Sequence, residues 1–176
     1  MADNRPTATF AGTRLEAFQA LSRYTRVDTV LAVPGSRVHH HCSTNNIPVE
    51  LSDHKNRAKG FHFLWEQRTD LVFSAGFPFI LPSWVLQSGA LFINSHPALL
   101  PAYKGMNAIK EAYAAGEQYM GVSVHHMVAE VDSGALLWQE RVWVNGCTLD
   151  EIYSLIFGVV EPFAIIQALA QVLRPA

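Results

Sequence analysis

The 176-residue sequence has few charged residues and few cysteines, and each shortage excludes a class of protein. Charged residues make up 16% of the chain and hydrophobic residues 49%, a balance that excludes an intrinsically disordered protein. The formal net charge is −2, so the chain has no basic excess for binding nucleic acid. Cys42 and Cys147 are too few for a disulfide framework. We therefore expect reduced thiols in a cytoplasmic protein.

The sequence also lacks an uninterrupted hydrophobic run of membrane-spanning length. Its two longest apolar stretches, Leu71–Leu86 and Ile152–Leu173, are broken by Pro, Ser, Glu or Gln. No GxGxxG or Walker pattern is present, which disfavours a dinucleotide-dependent dehydrogenase. We expect one domain over residues 1–176 that neither crosses a membrane nor binds nucleic acid.

Short β-type runs alternate with segments of helical periodicity, a pattern typical of an α/β fold with a mainly parallel sheet covered by helices. The predicted strands are 7–11, 27–33, 47–51, 70–75, 90–94, 121–128 and 135–144, the last two forming a hairpin. The predicted helices begin near residues 15, 52, 83, 108 and 149. The polar segment Ser36–Asn46 is interpreted as a loop. Pro162 is expected to kink or divide the last helix.

Three polar residues are the main candidates for chemistry. Asn94 and His96 are two apart at the end of an apolar strand, so their side chains point to one side if the strand continues. An Asn amide can donate to a developing oxyanion, and a neutral His can move protons near pH 7. Asp132, in a Val-Asp-Ser-Gly turn, would raise the proton affinity of His96 if the two were close. The alternative is structural: a His at a strand end, an Asn satisfying a turn and an Asp in a turn.

Other polar clusters give weaker signals. The run His39-His40-His41-Cys42 contains zinc-ligand types, but adjacent ligands rarely close a tetrahedral site, so we predict no metal and interpret the run as a loop covering the substrate. His125 and His126 adjoin in a strand and therefore face opposite ways. Gly12-Thr13-Arg14 follows the first strand, where a phosphate loop could lie, but matches no nucleotide motif.

Three stretches in order resemble the folate-dependent formyltransferases. Residues 94–105, NSHPALLPAYKG, are similar to the first signature of that family. Residues 121–127, GVSVHHM, and 131–134, VDSG, resemble its second signature at the expected distance. Upstream, residues 74–82, SAGFPFILP, resemble its folate loop. The similarity extends from Thr7 to about Val144.

This resemblance implies a Rossmann-like three-layer formyltransferase domain and 10-formyltetrahydrofolate as the formyl donor. It implies that Asn94 polarises the formyl oxygen, that His96 stabilises the tetrahedral intermediate and assists proton transfer, and that Asp132 organises His96 and a water. His125 matches a histidine that supports the catalytic residues in the glycinamide ribonucleotide transformylase branch. The pterin is expected to lie against the backbone of Phe79, Ile80, Leu81, Val128, Ala129 and Glu130. The acceptor is expected to lie against Gly12, Thr13, Arg14, Lys104, Gly105 and Asn107.

The sequence departs from individual branches of the family in ways that concern the acceptor. A Gly-Ser-Asn phosphate loop is replaced by Gly12-Thr13-Arg14, and Asn107 stands where a histidine often occurs. Both changes disfavour glycinamide ribonucleotide as the acceptor, although Arg14 and Lys104 would suit an anionic one. The methionyl-tRNA branch carries a C-terminal tRNA-binding domain that this sequence does not resemble. The hydrolase branch shares the Gly105-Met106-Asn107 pattern but has an N-terminal regulatory domain.

We therefore predict transfer of a formyl group from 10-formyltetrahydrofolate to the amine of a small molecule. The alternatives are a formyltetrahydrofolate hydrolase, a phosphoribosylglycinamide formyltransferase without the usual phosphate loop, and a folate-binding protein without activity. The segment Ile152–Leu173 has hydrophobic residues on more than one face, which is typical of a buried helix or an interface. On that ground we predict a homodimer.

Overall fold

The fold is built on one seven-stranded sheet with the strand order β3-β2-β1-β4-β5-β6-β7. The structure is a computed structural model and describes residues 3–173. The strands are β1 (Thr7–Gly12), β2 (Arg26–Ala32), β3 (Val49–Leu51), β4 (Leu71–Ala75), β5 (Leu91–His96), β6 (Tyr119–His126) and β7 (Leu136–Trp143). The first five strands are parallel, and β6 and β7 are antiparallel to their neighbours. All seven lie within one or two residues of their predicted positions.

Helices cover both faces of the sheet. They are α1 (Leu15–Tyr24), α2 (Arg37–Thr44), α3 (Arg57–Glu66), α4 (Ala108–Ala114), α5 (Leu149–Leu155) and α6 (Glu161–Val172), with a short 3-10 helix at Val85–Gln87. Along β4, Phe73 joins the core beneath α1 and α6, whereas its neighbour Val72 joins the core beneath α3 and the 3-10 helix. Because successive strand residues point to opposite faces, both faces of this central strand are apolar. The prediction of a Rossmann-like three-layer α/β fold is confirmed.

The segment predicted as the loop Ser36–Asn46 is instead helical, and that prediction was wrong. Ser36 caps α2 by accepting a hydrogen bond from the backbone N–H of His39 at 3.2 Å. Val38 and Cys42, four residues apart, point into the core, while the histidines between them lie on the outer side. A helix that buries only two side chains has too weak a hydrophobic pattern to stand out in the sequence.

Helix α3 begins later than the expected cap at Ser52 or Asp53. The Asp53 carboxylate accepts from the backbone N–H groups of Lys55 and Asn56, at 2.7 and 3.0 Å. This turn delays the helix until Arg57, because the Asp side chain holds the backbone in a non-helical conformation.

The C-terminal helical segment runs continuously from Leu149 to Val172. The predicted capping box is present, since the Thr148 hydroxyl and the Glu151 carboxylate each bond the other's backbone N–H. A π-helical turn at Ile156–Val160 separates α5 from α6, and Pro162, which has no backbone N–H to donate, lies in the first turn of α6 directly after it. The segment is long and apolar enough to cross a membrane, but α6 packs on α1 and β7 as a core helix.

Candidate active site

Strand β5 delivers two of the candidate side chains to the carboxyl edge of the sheet. Asn94 and His96 point to the face covered by α3, and Ser95 between them points to the opposite face. The antiparallel pairing of β5 with β6 places His125 directly opposite Asn94. Asn94 Nδ2 therefore lies 3.4 Å from His125 Nε2. This edge is where open α/β sheets bind ligands.

Asp132 completes the cluster from the loop between β6 and β7. Its Oδ2 accepts from the Gly105 backbone N–H at 2.8 Å and lies 3.3 Å from His96 Nδ1. Its Oδ1 lies 3.4 Å from His125 Nε2. Asp132 has a φ of +49°, an unusual conformation that its contacts hold in place. Asn94, His96, Asp132 and His125 thus form one connected group.

The tautomer of His96 follows from its two neighbours. Its Nε2 lies 2.7 Å from the carbonyl oxygen of Tyr103, which can only accept, so Nε2 carries a proton. In the neutral ring, Nδ1 is then a free base beside Asp132. Burial lowers the pKa of His96 below its ordinary value of 6.5, although the Tyr103 carbonyl and the Asp132 carboxylate act to raise it. His96 is therefore neutral at pH 7 and ready to accept a proton.

Asp132 is ionised in this site despite being largely buried. Burial alone acts to raise the pKa of its carboxyl, but the hydrogen bonds that the carboxylate accepts from His125 and from the Gly105 N–H outweigh this effect. The net effect holds the pKa below its ordinary value of 3.8. A carboxylate is therefore available to stabilise an imidazolium at His96.

These residues form the wall of a cleft of about 830 Å³. Asn94, His96, His125 and Asp132 all line it. Of the residues predicted to bind the pterin, Phe79, Ile80, Leu81, Val128 and Ala129 line the cleft. Glu130 does not, and its carboxylate lies 3.7 Å from Lys104 Nζ in an exposed ion pair.

Only half of the residues predicted to bind the acceptor line the cleft. Arg14, Gly105 and Asn107 line the cleft, whereas Gly12, Thr13 and Lys104 do not. Gly12 instead packs tightly against β4, where a Cβ would lie 2.0 Å from the Ala75 carbonyl oxygen. Gly12 therefore allows β1 and β4 to approach each other closely.

The histidine run lies outside the cleft, so the prediction that it covers the substrate was wrong. His39 Nδ1 accepts from the Gly35 N–H at 3.0 Å, and the rings of His39 and His40 stack on each other. His41 packs its ring against Phe18 of α1. Within residues 3–173, no group of three His, Cys, Asp or Glu side chains could hold a metal ion.

Three features of the cleft were missed by sequence reasoning. Arg57, at the start of α3, lines the cleft beside His54 and makes no ion pair within the described part of the chain. The backbone carbonyl of Tyr103 orients His96 from a residue with a φ of +54°. Neither carries a sequence signal, because a helix-start arginine and a backbone atom look ordinary in a sequence.

The third missed feature is a buried ion pair between Arg14 and Glu161. Arg14 Nη1 lies 2.6 Å from Glu161 Oε1, and the Ser95 hydroxyl donates to the same oxygen at 2.6 Å. The Glu161 side chain is fully buried, and the Arg14 guanidinium lies 3.9 Å from the centre of the Phe157 ring. Removing one partner from a buried pair typically costs about 3–5 kcal/mol, because the other charge is left uncompensated.

Most of the chain matches a known protein family. Residues 22–156 match the family model described as formyl transferase. The chain belongs to the formyl transferase family. This assignment confirms the resemblance found in the sequence, and it covers β5, β6 and the loop that carries Asp132.

Three similar formyl transferase relatives carry different names. The trifunctional purine biosynthetic protein adenosine-3 of Gallus gallus is 38% identical over 107 residues, covering 56% of this chain and 11% of that protein. The phosphoribosylglycinamide formyltransferase of Haemophilus influenzae is 37% identical, covering 46% and 38%. The methionyl-tRNA formyltransferase of Thermotoga maritima is 31% identical, covering 57% and 33%. The matches therefore span less than half the length of each of these relatives.

Solved structures of the family share the whole fold. The phosphoribosylglycinamide formyltransferase of Bacillus halodurans superposes with a TM-score of 0.83 at 24% identity, covering 96% of this chain and 95% of that one. A formyltetrahydrofolate deformylase of Pseudomonas syringae has a TM-score of 0.80 at 18% identity, covering 96% and 61%. At these identities the likeness establishes the fold of the formyl transferase family and leaves the acceptor open.

Proposed function

We propose that the protein transfers a formyl group from 10-formyltetrahydrofolate to the primary amine of a small molecule. One observation carries the proposal: Asn94, His96 and Asp132 meet in one cleft, with His96 as a neutral base beside an ionised carboxylate. An amide donor, a neutral base and a carboxylate are what attack of an amine on a formyl carbon requires.

Each residue has a distinct part in this reaction. The donor supplies an activated formyl carbon, bonded to a nitrogen that leaves. The Asn94 amide donates a hydrogen bond to the formyl oxygen as it gains negative charge. His96 Nδ1 takes a proton from the attacking amine, and Asp132 stabilises the imidazolium that forms. As the new C–N bond forms and the old one breaks, His96 returns this proton to the leaving nitrogen, so His96 ends the reaction in its initial protonation state.

The donor side of the cleft fits a folate. Phe77 and Phe79 pack edge to face, and Ile80 is 72% exposed, so an apolar surface is available for a flat ring. Met127, Val128 and Ala129 also line the cleft. Arg57 adds a cation for the glutamate carboxylates of the donor.

Arg57→Ala is expected to weaken binding of tetrahydrofolate by about tenfold, the value of one charge-assisted hydrogen bond. An analogue without the glutamate moiety should bind wild type and variant equally, because it has no glutamate carboxylate for Arg57 to bind. Fluorescence titration measures both affinities. Lys110→Ala removes an exposed cation outside the cleft and serves as the control. Equal losses for both ligands would contradict the assignment of Arg57 to the glutamate.

The direct test is incubation of the protein with 10-formyltetrahydrofolate and a panel of amines. Release of tetrahydrofolate that depends on an amine, with a formylated product seen by mass spectrometry, supports transfer. Release with formate in the absence of any amine supports a hydrolase, the second candidate, which the Gly105-Met106-Asn107 pattern in the cleft wall favours. No release under either condition contradicts both.

Asp132→Asn is expected to move the acid limb of the pH profile of kcat/KM to lower pH. The Asp132 carboxylate acts to raise the pKa of His96, so its loss lowers that pKa further below 6.5 and the neutral base persists to lower pH. The maximum rate should also fall, because the imidazolium loses its partner. The pH profile of kcat/KM and an NMR titration of the His96 ring measure the shift.

The control for this change is Asp150→Asn, which removes an exposed carboxylate from the start of α5 and should leave the profile in place. An acid limb that stays where it is in Asp132→Asn, or moves to higher pH, would show that Asp132 does not act on His96.

We also propose a cytoplasmic homodimer. Val159 and Phe163, on the C-terminal helical segment, are 60% and 46% exposed, which supports an interface on that side. Cys42 and Cys147 are both free thiols, which fits a reducing compartment. Light scattering after size-exclusion chromatography tests the dimer, and a monomer at high concentration would refute it.

A further inference from the structure

The cation that the sequence offers to an anionic acceptor is already paired inside the protein. Arg14 lines the cleft, but its Nη1 lies 2.6 Å from Glu161 Oε1, and its guanidinium stacks on Phe157. The Arg14 side chain is 19% exposed and that of Glu161 is fully buried. Arg14 is thus held in place by groups on α6 and the π-helical turn before it.

The charge of this pair sums to zero at the cleft wall. Glu161 Oε2 is also buried, and no partner for it occurs within the described residues. A phosphate bound to Arg14 would compete with Glu161 for the guanidinium and would lie close to a carboxylate that cannot reach water. The surroundings of Arg14 therefore repel a second anion.

The second cation of the predicted acceptor site is no more available. Lys104 Nζ donates to Ser133 Oγ at 2.6 Å, lies 3.7 Å from Glu130, and does not line the cleft. Arg57 lies on α3, which covers the other face of the sheet from α6. No unpaired lysine or arginine of residues 3–173 therefore lines the cleft near Arg14.

We infer that the acceptor carries no phosphate where it lies against Arg14, and that an uncharged oxygen, such as a hydroxyl or a carbonyl, accepts from the remaining guanidinium N–H groups. This inference rests on the proposed formyl transfer and narrows its acceptor to amines without a phosphate at the position of Arg14. It disfavours a phosphoribosylated amine as the substrate of this chain.

The first experiment titrates inorganic phosphate into the protein by calorimetry, without any folate. Wild type should show no saturable binding. Glu161→Gln keeps an oxygen for Ser95 and Arg14 but removes the charge, and should bind phosphate saturably, at least about tenfold more tightly than the detection limit that wild type fails to reach. Glu16→Gln, which removes the partly exposed partner of Arg37 in the first turn of α1, directly after Arg14, should behave as wild type. Circular dichroism verifies that the variants are folded.

The second experiment compares two amines that differ only in a phosphate, glucosamine and glucosamine 6-phosphate, as formyl acceptors of the wild type. A higher kcat/KM for the unphosphorylated amine supports the inference. Saturable phosphate binding by wild type, a folded Glu161→Gln variant that gains none, or a preference for the phosphorylated amine would overturn it. The phosphate titration needs no formyl donor, so it tests the inference even if formyl transfer fails. Failure of the proposed transfer would instead appear as the absence of folate binding and of tetrahydrofolate release.

Discussion

His96→Ala is expected to lower kcat for formyl transfer by about 10²–10⁴-fold, the range for loss of a general acid–base group. The reason lies in the geometry: Nε2 is held by the Tyr103 carbonyl, so Nδ1 beside Asp132 is the proton-accepting nitrogen of the ring. Without this ring, the attacking amine loses its proton only to water. The measurement is tetrahydrofolate release under saturating donor and acceptor.

Binding of the donor should survive this change. The apolar wall formed by Phe79 and Ile80 and the cation Arg57 do not depend on His96, so the affinity for tetrahydrofolate should change by no more than a few-fold. His62→Ala removes an exposed histidine of α3 outside the cleft and should retain full kcat. A His96→Ala variant with wild-type kcat would show that the proton moves by another route.

The cluster of Asn94, His96 and Asp132 could be predicted from the sequence because these residues lie in short contiguous motifs. Asn94 and His96 lie on one strand. Asp132 lies in a turn, residues 131–134, which belongs to the second family signature at the expected distance from the first. The alternation of side chains along β5 then fixes their common direction. The apolar strands were placed equally well, since a buried parallel strand is a short unbroken hydrophobic run.

The acceptor side could not be predicted, because its decisive contact is not local. Arg14 and Glu161 are 147 positions apart, and the packing of α6 against α1 brings them together. From the sequence alone, Arg14 was a free cation at the edge of the cleft. The fold makes it half of a buried pair with Glu161, which counts against the anionic acceptor that a free Arg14 would suit.

The amide orientation of Asn94 is likewise set by tertiary contacts. His125 Nδ1 lies 2.8 Å from the backbone carbonyl of His126, and its Nε2 lies 3.4 Å from both Asn94 Nδ2 and Asp132 Oδ1. These contacts hold the Asn94 side chain beside His96 and Asp132 in the cleft wall. The Asn94 amide is therefore positioned before any ligand binds.

Asn94→Ala is expected to lower kcat by about 10²–10³-fold, the loss measured when one donor to a developing oxyanion is removed. A preorganised donor acts mainly on the transition state, so KM for the donor should change little. Asn94→Asp keeps the shape of the side chain but places a negative charge beside the oxygen that gains one. Its kcat should therefore be no higher than that of Asn94→Ala, as measured by amine-dependent release of tetrahydrofolate.

This pair of variants separates charge stabilisation from packing. If Asn94 only filled space, Asn94→Asp would keep nearly the full rate, and Asn94→Ala would lose stability along with activity. Asn145→Ala, in an exposed turn after β7, removes an amide elsewhere and should leave kcat unchanged. A rate for Asn94→Asp within tenfold of wild type would contradict the role of Asn94 as the oxyanion donor, because a carboxylate cannot donate to an oxyanion.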